Sequence, residues 1–116
     1  MTEVSSIHAI GNVANNLLDG GAGNDRLDGG TGVVTASYSS ATAGIKVSLA
    51  VSGPQNTGGA GIDTLIGIEN LTGSAFADTL TGNGGANALS GAGSSDLLEG
   101  GAGNDTLDGV CGRCRQ

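Results

Sequence analysis

Aspartates that recur every nine residues are the residues of this sequence best suited to chemistry. Between Gly73 and Asp108, four consecutive nonapeptides begin with glycine and have Leu at the eighth place. Their sixth places hold Asp78, Asn87, Asp96 and Asp105. Oxygen ligands among glycine-rich turns favour calcium, because magnesium demands stricter octahedral geometry and transition metals prefer His or Cys. The alternative for such an aspartate is a metal-free Asx turn or cap.

The elements that must position these side chains follow from the same repeat. Each complete unit divides into a turn of six residues and a strand of three. Glycines in the turn permit positive φ and close backbone approach. In the x-Leu-x strand, Leu points inward and its neighbours point outward. Stacked units of this kind predict an all-β chain that coils into a parallel β-solenoid, with the leucines as its core.

The repeat also divides the chain into segments of one continuous domain. We predict a lead-in at 1–10, a first repeat block at 11–34, irregular strands and turns at 35–57, a second repeat block at 58–108, and a decayed repeat and tail at 109–116. Within the irregular segment, alternation of apolar and polar residues predicts strands at 35–39 and 45–51, with turns at 40–44 and 52–59. The array shows no obvious polar cap, so we expect it to be a piece of a longer array or an array that is cut short.

Composition argues against several classes of partner. The chain of 116 residues has 4 Lys and Arg against 11 Asp and Glu, a formal net charge of −7, which disfavours nucleic acid and anionic membranes. No stretch approaches the roughly 18 apolar residues of a membrane span. With 24 glycines and 2% aromatic residues, the core is thin, so something besides hydrophobic burial should stabilise the fold.

The sequence contains no recognisable catalytic set. His8 is the only histidine and lies outside the repeats, so no Ser-His-Asp arrangement is available and we expect no enzyme activity. Cys111 and Cys114 have CxxC spacing, but zinc needs about four ligands and no second pair exists. We interpret this pair as incidental, with its role open.

Three units, Gly20–Asp28, Gly58–Ile66 and Gly100–Asp108, match the pattern Gly-Gly-x-Gly-x-Asp-x-apolar-x. The chain therefore resembles the repeats-in-toxin (RTX) family of calcium-binding nonapeptide repeats. This resemblance implies a right-handed parallel β-roll that folds on binding several calcium ions. It also implies a non-catalytic module of a secreted, extracellular bacterial protein exported through a type I channel, with flanking domains or end-to-end self-association as further partners. The alternative is a surface adhesion or ice-binding β-solenoid with structural metal.

The resemblance also implies where calcium binds. Two nonapeptides make one coil, so ligands stack 18 residues apart, which pairs Asp78 with Asp96 and Asn87 with Asp105. Turn glycines are expected to complete these metal sites: Gly82, Gly84, Gly91, Gly93, Gly100 and Gly103.

Upstream, the expected register is less regular. We expect Asp63 to join the Asp78 side and Glu69 to join the Asn87 side. Asp25 is a further candidate ligand, which the 18-residue rule places opposite Ala43. The same rule pairs Asn16 with Val34, where the absence of charge predicts weak or absent calcium binding.

Overall fold

Short strands joined by glycine-rich turns build the whole of the described structure. The computed structural model describes residues 8–10, 15–19, 21, 23–51, 53–109 and 111–115, with only strand pairing described at 8–10 and 111–115. The strands are β1 (His8–Ile10), β2 (Asn16–Leu18), β3 (Arg26–Asp28), β4 (Val34–Ser37), β5 (Lys46–Ser48), β6 (Gln55–Asn56), β7 (Ile62–Ile66), β8 (Asn70–Thr72), β9 (Thr79–Thr81), β10 (Ala88–Ser90), β11 (Asp96–Glu99), β12 (Thr106–Asp108) and β13 (Cys111–Arg115). The described residues form no helix, so this part of the chain contains no helix long and apolar enough to cross a membrane.

The strands stack into two opposed faces, which is the arrangement of a parallel β-roll. One face is a five-stranded sheet in the order β12-β10-β8-β4-β2. The other face consists of two stacks, β1-β3-β7-β6 and β13-β11-β9-β5. Every strand pair is parallel except β6 with β7. The predicted all-β parallel roll is therefore confirmed.

The leucine column forms the core between the faces. Leu80 pairs with Leu98, and Leu89 pairs with Leu71 and Leu107, so equivalent leucines lie above one another from coil to coil. Five members are exposed by at most 1%: Leu27, Leu71, Leu80, Leu89 and Leu98. The predicted strands around the eighth place of each repeat are confirmed by β9, β10, β11 and β12.

The irregular middle segment joins the roll through a hairpin-like insertion. Strand β5 runs parallel to β9, with Val47 opposite Leu80. Strand β6 runs antiparallel to β7, and an isolated antiparallel bridge connects Ile45 with Gly58. The prediction of an uninterrupted turn at 52–59 was wrong, because the Gln55 side chain bonds both the amide and the carbonyl of Ser48 and holds β6 beside β5.

The segment after Asp108 also pairs with the roll. Strand β13 lies parallel to β11, with Cys114 opposite Leu98 and a register shift between Asp96 and Leu97. The sheet that contains β9 and β11 thus extends into the part of the chain where the nonapeptide pattern decays.

Candidate metal centre

The side chains at the sixth place of the repeats point into the roll. Asp78, Asp96 and Asn87 are exposed by 4% or less, like Asp25 and Asp63 in the units upstream. The reason is the two-residue alternation of a strand, which directs the sixth and eighth places to the same side. Burial of the leucine therefore requires burial of the carboxylate, a consequence that the repeat pattern contains but that the sequence analysis missed.

Two of the expected 18-residue pairs are in direct contact. The backbone N–H of Asp78 donates to Asp96 Oδ1 at 2.8 Å, and the N–H of Asn87 donates to Asp105 Oδ1 at 2.9 Å. Asp78 in turn accepts hydrogen bonds from the backbone N–H of Ile45 and from both the N–H and the hydroxyl of Ser74. The structure thus brings together the residues of both predicted pairs.

The first glycine of each repeat lies against the sixth side chain of the same repeat. A Cβ added to Gly91 would collide with the carboxylate of Asp96, and one added to Gly100 would collide with that of Asp105. Gly73 and Gly82 have the same relation to Asp78 and Asn87. Glycine at the first place therefore makes the space that the buried carboxylate or amide occupies.

Asp96 and Asp105 each have one carboxylate oxygen without a hydrogen-bond donor in the described part of the chain. Asp96 Oδ2 and Asp105 Oδ2 are buried and accept no hydrogen bond. Burial raises the pKa of Asp96 above its ordinary value, since the charged form loses its hydration, although the Asp78 N–H opposes this shift. A buried anionic oxygen without a donor is costly unless a cation compensates it.

Backbone carbonyls supply the other candidate ligands. Over the described ranges, no three His, Cys, Asp or Glu side chains form a cluster that could hold a metal, so an ion needs carbonyl oxygens as well. Stacked turns bring these close, since a Cβ on Gly103 would lie 2.7 Å from the Gly85 carbonyl oxygen and one on Gly101 would lie 3.0 Å from that of Asn83. Carboxylate and carbonyl oxygens together are a donor set that fits calcium.

The other predicted glycines lie at different distances from this donor set. Gly84 has no atom within 4 Å of an added Cβ, and at Gly93 the nearest atom is the Ala75 carbonyl oxygen at 3.5 Å. Both are exposed. Of the predicted glycines, Gly82 and Gly103 lie close to carbonyls of a stacked turn, whereas Gly91 and Gly100 lie against the carboxylate of their own repeat.

Asp25 and Asp63 form a pair that the sequence analysis did not foresee. The backbone N–H of Asp25 donates to Asp63 Oδ1 at 2.9 Å, and the Tyr38 hydroxyl donates to Asp63 Oδ2 at 2.9 Å. Burial raises the pKa of Asp63, while these two hydrogen bonds lower it. Burial, with the nearby Asp63 charge, also raises the pKa of the Tyr38 hydroxyl.

This pair corrects one expectation. Asp25 lies opposite Asp63, not Ala43. Asp63 lies on the face that also holds Asp78, and its direct neighbour in the stack is Asp25. The physical reason is the insertion, since β3 pairs with β7 across 38 residues and β5 takes the place beside β9. The two complete units Gly20–Asp28 and Gly58–Ile66 thereby stack on each other.

The Asn87 side matches the expected placement of Glu69. The amide nitrogen of Asn87 donates to the Glu69 carbonyl at 2.7 Å, and its Oδ1 accepts from the Asn83 N–H at 2.9 Å. Glu69 Oε1 accepts the Val34 N–H at 2.8 Å. The expected register of Asn16 with Val34 is also present. Both ends of the Asn87 amide have protein partners, so Asp105 carries the free oxygen of this side.

Comparison with known proteins identifies the family to which the repeat belongs. The family model of the RTX calcium-binding nonapeptide repeat matches in four copies, over residues 8–34, 66–98 and 90–109. No curated protein matches the chain. The matched residues are more than half of the sequence and omit the insertion and the first residues of β7. Since its stacked glycine turns and leucine column are the structural counterpart of that repeat, the chain belongs to the RTX calcium-binding nonapeptide-repeat family.

Proposed function

We propose that this protein is a calcium-dependent β-roll module whose second repeat block folds when calcium binds between its turns. The observation that carries the proposal is the pair of buried oxygens, Asp96 Oδ2 and Asp105 Oδ2, that accept no hydrogen bond in the described structure. Asp96 and Asp105, with carbonyls of the stacked turns, would hold the ions. Calcium bound there supplies positive charge that offsets the buried carboxylates.

The energetics of the chain support a fold that depends on a ligand. Glycine loses the most conformational freedom on ordering, and the net charge of −7 opposes compaction. One site at tenfold calcium excess over its dissociation constant contributes about 1.4 kcal/mol. Several coupled sites are therefore needed to shift the folding equilibrium decisively.

The variant Asp96→Asn tests the proposal by opposite effects in two buffers. Asparagine keeps the acceptor for the Asp78 N–H and removes the buried charge. In EDTA we expect the variant to be more stable than the wild type by about 1 kcal/mol. In calcium we expect it to lose about 1.4 kcal/mol of the calcium-induced stabilisation at tenfold excess. The measurement is far-UV circular dichroism: the β-sheet signal at fixed temperature reports the folded fraction in EDTA, and thermal unfolding reports stability in calcium, with magnesium as the ion control.

A matched control removes a charge that does not face the turns. Asp108 is exposed at the end of β12, so Asp108→Asn changes the net charge equally without touching the buried carboxylates. We expect its calcium response to equal that of the wild type. Equal effects of the two variants, or stabilisation by magnesium as large as that by calcium, would contradict the proposal.

Secretion is the second part of the proposed function. Family membership and the acidic, glycine-rich composition support a chain that is exported unfolded through a type I channel and folds in extracellular calcium. Extracellular calcium modules typically have dissociation constants of about 10⁻⁴ to 10⁻³ M. The midpoint of the same titration should fall in that range, and a midpoint near 10⁻⁷ M would argue for folding before export.

The alternative of an adhesion or ice-binding solenoid requires a regular outward row. The row on the five-stranded sheet runs through Ser37, Thr72, Ser90 and Asp108. Its residue type changes along the row, and Ser37 is buried. This row therefore provides no specific support for an ice-binding or adhesive face.

A further inference from the structure

Tyr38 contacts a repeat carboxylate although it is not part of any repeat. Its ring is exposed by 4%, and its hydroxyl donates to Asp63 Oδ2 at 2.9 Å. Asp63 Oδ1 accepts the Asp25 N–H. Both oxygens of the Asp63 carboxylate therefore have protein donors.

The contrast with Asp96 isolates the effect of Tyr38. Both aspartates occupy the sixth place of a repeat, both are buried, and both accept a backbone N–H from the stacked coil on Oδ1. The second oxygen of Asp63 accepts the tyrosine hydroxyl, whereas the second oxygen of Asp96 accepts nothing. Tyr38 thus provides at Asp63 the compensation that Asp96 lacks.

A backbone carbonyl of the same turn also accepts hydrogen bonds from protein groups. The Gly61 carbonyl accepts the Thr57 hydroxyl at 2.7 Å and the Thr57 N–H at 2.9 Å. The Thr57 hydroxyl oxygen accepts the N–H of Ala60, and Thr57 is exposed by only 1%. These bonds close the turn between Gly58 and Asp63 with protein groups on both its carboxylate and its carbonyl.

The insertion that carries Tyr38 and Thr57 also adds ordinary apolar packing. Ile45, Val47 and Ala60 are buried in one cluster with Tyr38 and the leucine column. This part of the roll therefore buries additional apolar side chains. The repeats from Gly73 onward bury mainly one leucine in each unit. Folding of the part that contains the insertion depends less on neutralising carboxylates.

We propose that Tyr38 and Thr57 take the place of a calcium ion at the turn between Gly58 and Asp63, so that this turn closes without metal. The stability of β7 and its neighbours then depends less on calcium than that of the turns from Gly73 onward. The inference rests on the proposed function, because it divides the roll into a part that depends less on calcium and a calcium-dependent part. The first part presents a preformed sheet edge, at β5 and β8, on which the second part can assemble.

Hydrogen exchange measured by mass spectrometry tests this division in the wild-type chain. In EDTA we expect slow exchange at β3, β5 and β7 and fast exchange from β9 to β12. In calcium we expect slow exchange in both parts. Fast exchange throughout in EDTA, reversed by calcium, would overturn the inference and leave the proposed function intact. Slow exchange from β9 to β12 that ignores calcium would contradict the proposed function instead.

The variant Tyr38→Phe tests the hydroxyl itself. It keeps the ring and removes the donor to Asp63. In EDTA we expect protection of β3 and β7 to fall roughly ten- to hundredfold, the usual range for loss of a hydrogen bond to a charged group. Calcium should restore most of that protection, since Asp63 Oδ2 then becomes available as a ligand. Unchanged protection in EDTA would overturn the role of Tyr38.

Two variants of Thr57 distinguish loss of its hydroxyl bond from general loss of folding. Thr57→Ser keeps the hydroxyl bond to the Gly61 carbonyl, and Thr57→Val removes it with a similar side-chain shape. We expect protection of β7 in EDTA to survive in the serine variant and to fall in the valine variant. Equal protection in the two variants would contradict the proposed closure of the turn.

Discussion

At the scale of single residues, the repeat depends on a contact between its first and sixth places. Alternation along the strand sends Asp96 inward with Leu98, and the carboxylate then reaches the backbone of Gly91. The glycine is required for space, because its conformation is not in the left-handed region. Burial of the carboxylate at the sixth place therefore requires glycine at the first place.

Replacement of Gly91 by alanine tests this requirement. The new Cβ would collide with the Asp96 carboxylate, so we expect Gly91→Ala to lower the free energy of unfolding by about 1–3 kcal/mol. Gly84→Ala is the matched control, because its added Cβ meets nothing within 4 Å and its φ is not positive. We expect the control to change stability by at most about 0.5 kcal/mol. Urea unfolding in calcium measures both, and equal losses would refute the contact.

At the scale of elements, the turns differ in how easily their residues adopt the required backbone. In the turn that begins at Gly100, the left-handed positions are Gly101 and Gly103, with φ of 80° and 92°. In the preceding turn the equivalent positions are Ala92 and Ser94, with φ of 62° and 68°. An L-residue in this conformation loses roughly 1–2 kcal/mol. Parallel pairing of β9 with β11 holds this strained turn in the stack.

Relief of that strain should stabilise the roll. Ala92→Gly removes the steric penalty but increases the freedom of the unfolded chain, so we expect a net gain of about 0.5–1 kcal/mol. Ala102→Gly is the control, since Ala102 is exposed and its φ is not positive. The control should lose up to about 1 kcal/mol. Thermal unfolding in saturating calcium gives both values, and a loss in Ala92→Gly would contradict the strain.

At the scale of the whole molecule, stability reflects competition between a small apolar core and buried negative charge. The leucine column is continuous, but buried carboxylates lie beside it along the face that contains β3, β7, β9 and β11. Burial raises the pKa of both Asp63 and Asp96. Each of these groups therefore binds a proton more tightly in the folded chain than in the unfolded chain.

This linkage gives opposite pH dependences with and without calcium. In EDTA the folded state binds more protons at pH values between the ordinary and the raised pKa, so stability should increase as the pH falls from neutral towards the ordinary pKa of 3.8. In calcium, protons compete with the ion for the same carboxylates, so stability should decrease as the pH falls. Thermal unfolding across this range measures both slopes. Asp96→Asn should flatten the slope in calcium, whereas the slope in EDTA should depend on Asp63, and parallel slopes in the two buffers would contradict the linkage.

The nine-residue period was enough to predict the features that depend on local repetition. Repetition every nine residues places the strands, and an inward leucine in each strand gives the core column. The coil of two repeats, which the family resemblance implied, places Asp78 with Asp96 and Asn87 with Asp105, and these residues are in contact. These features were predictable because each unit can bury its leucine only by stacking in register on the next coil.

The path of the chain through the segment where the period lapses could not be predicted from the repeat. The pairing of Asp25 with Asp63 spans 38 residues and depends on how β5 and β6 pack, which no count of repeats reveals. The same packing brings Tyr38 to the Asp63 carboxylate. Local pattern specifies contacts between equivalent units, whereas contacts across an insertion depend on the long-range packing of side chains that follow no period.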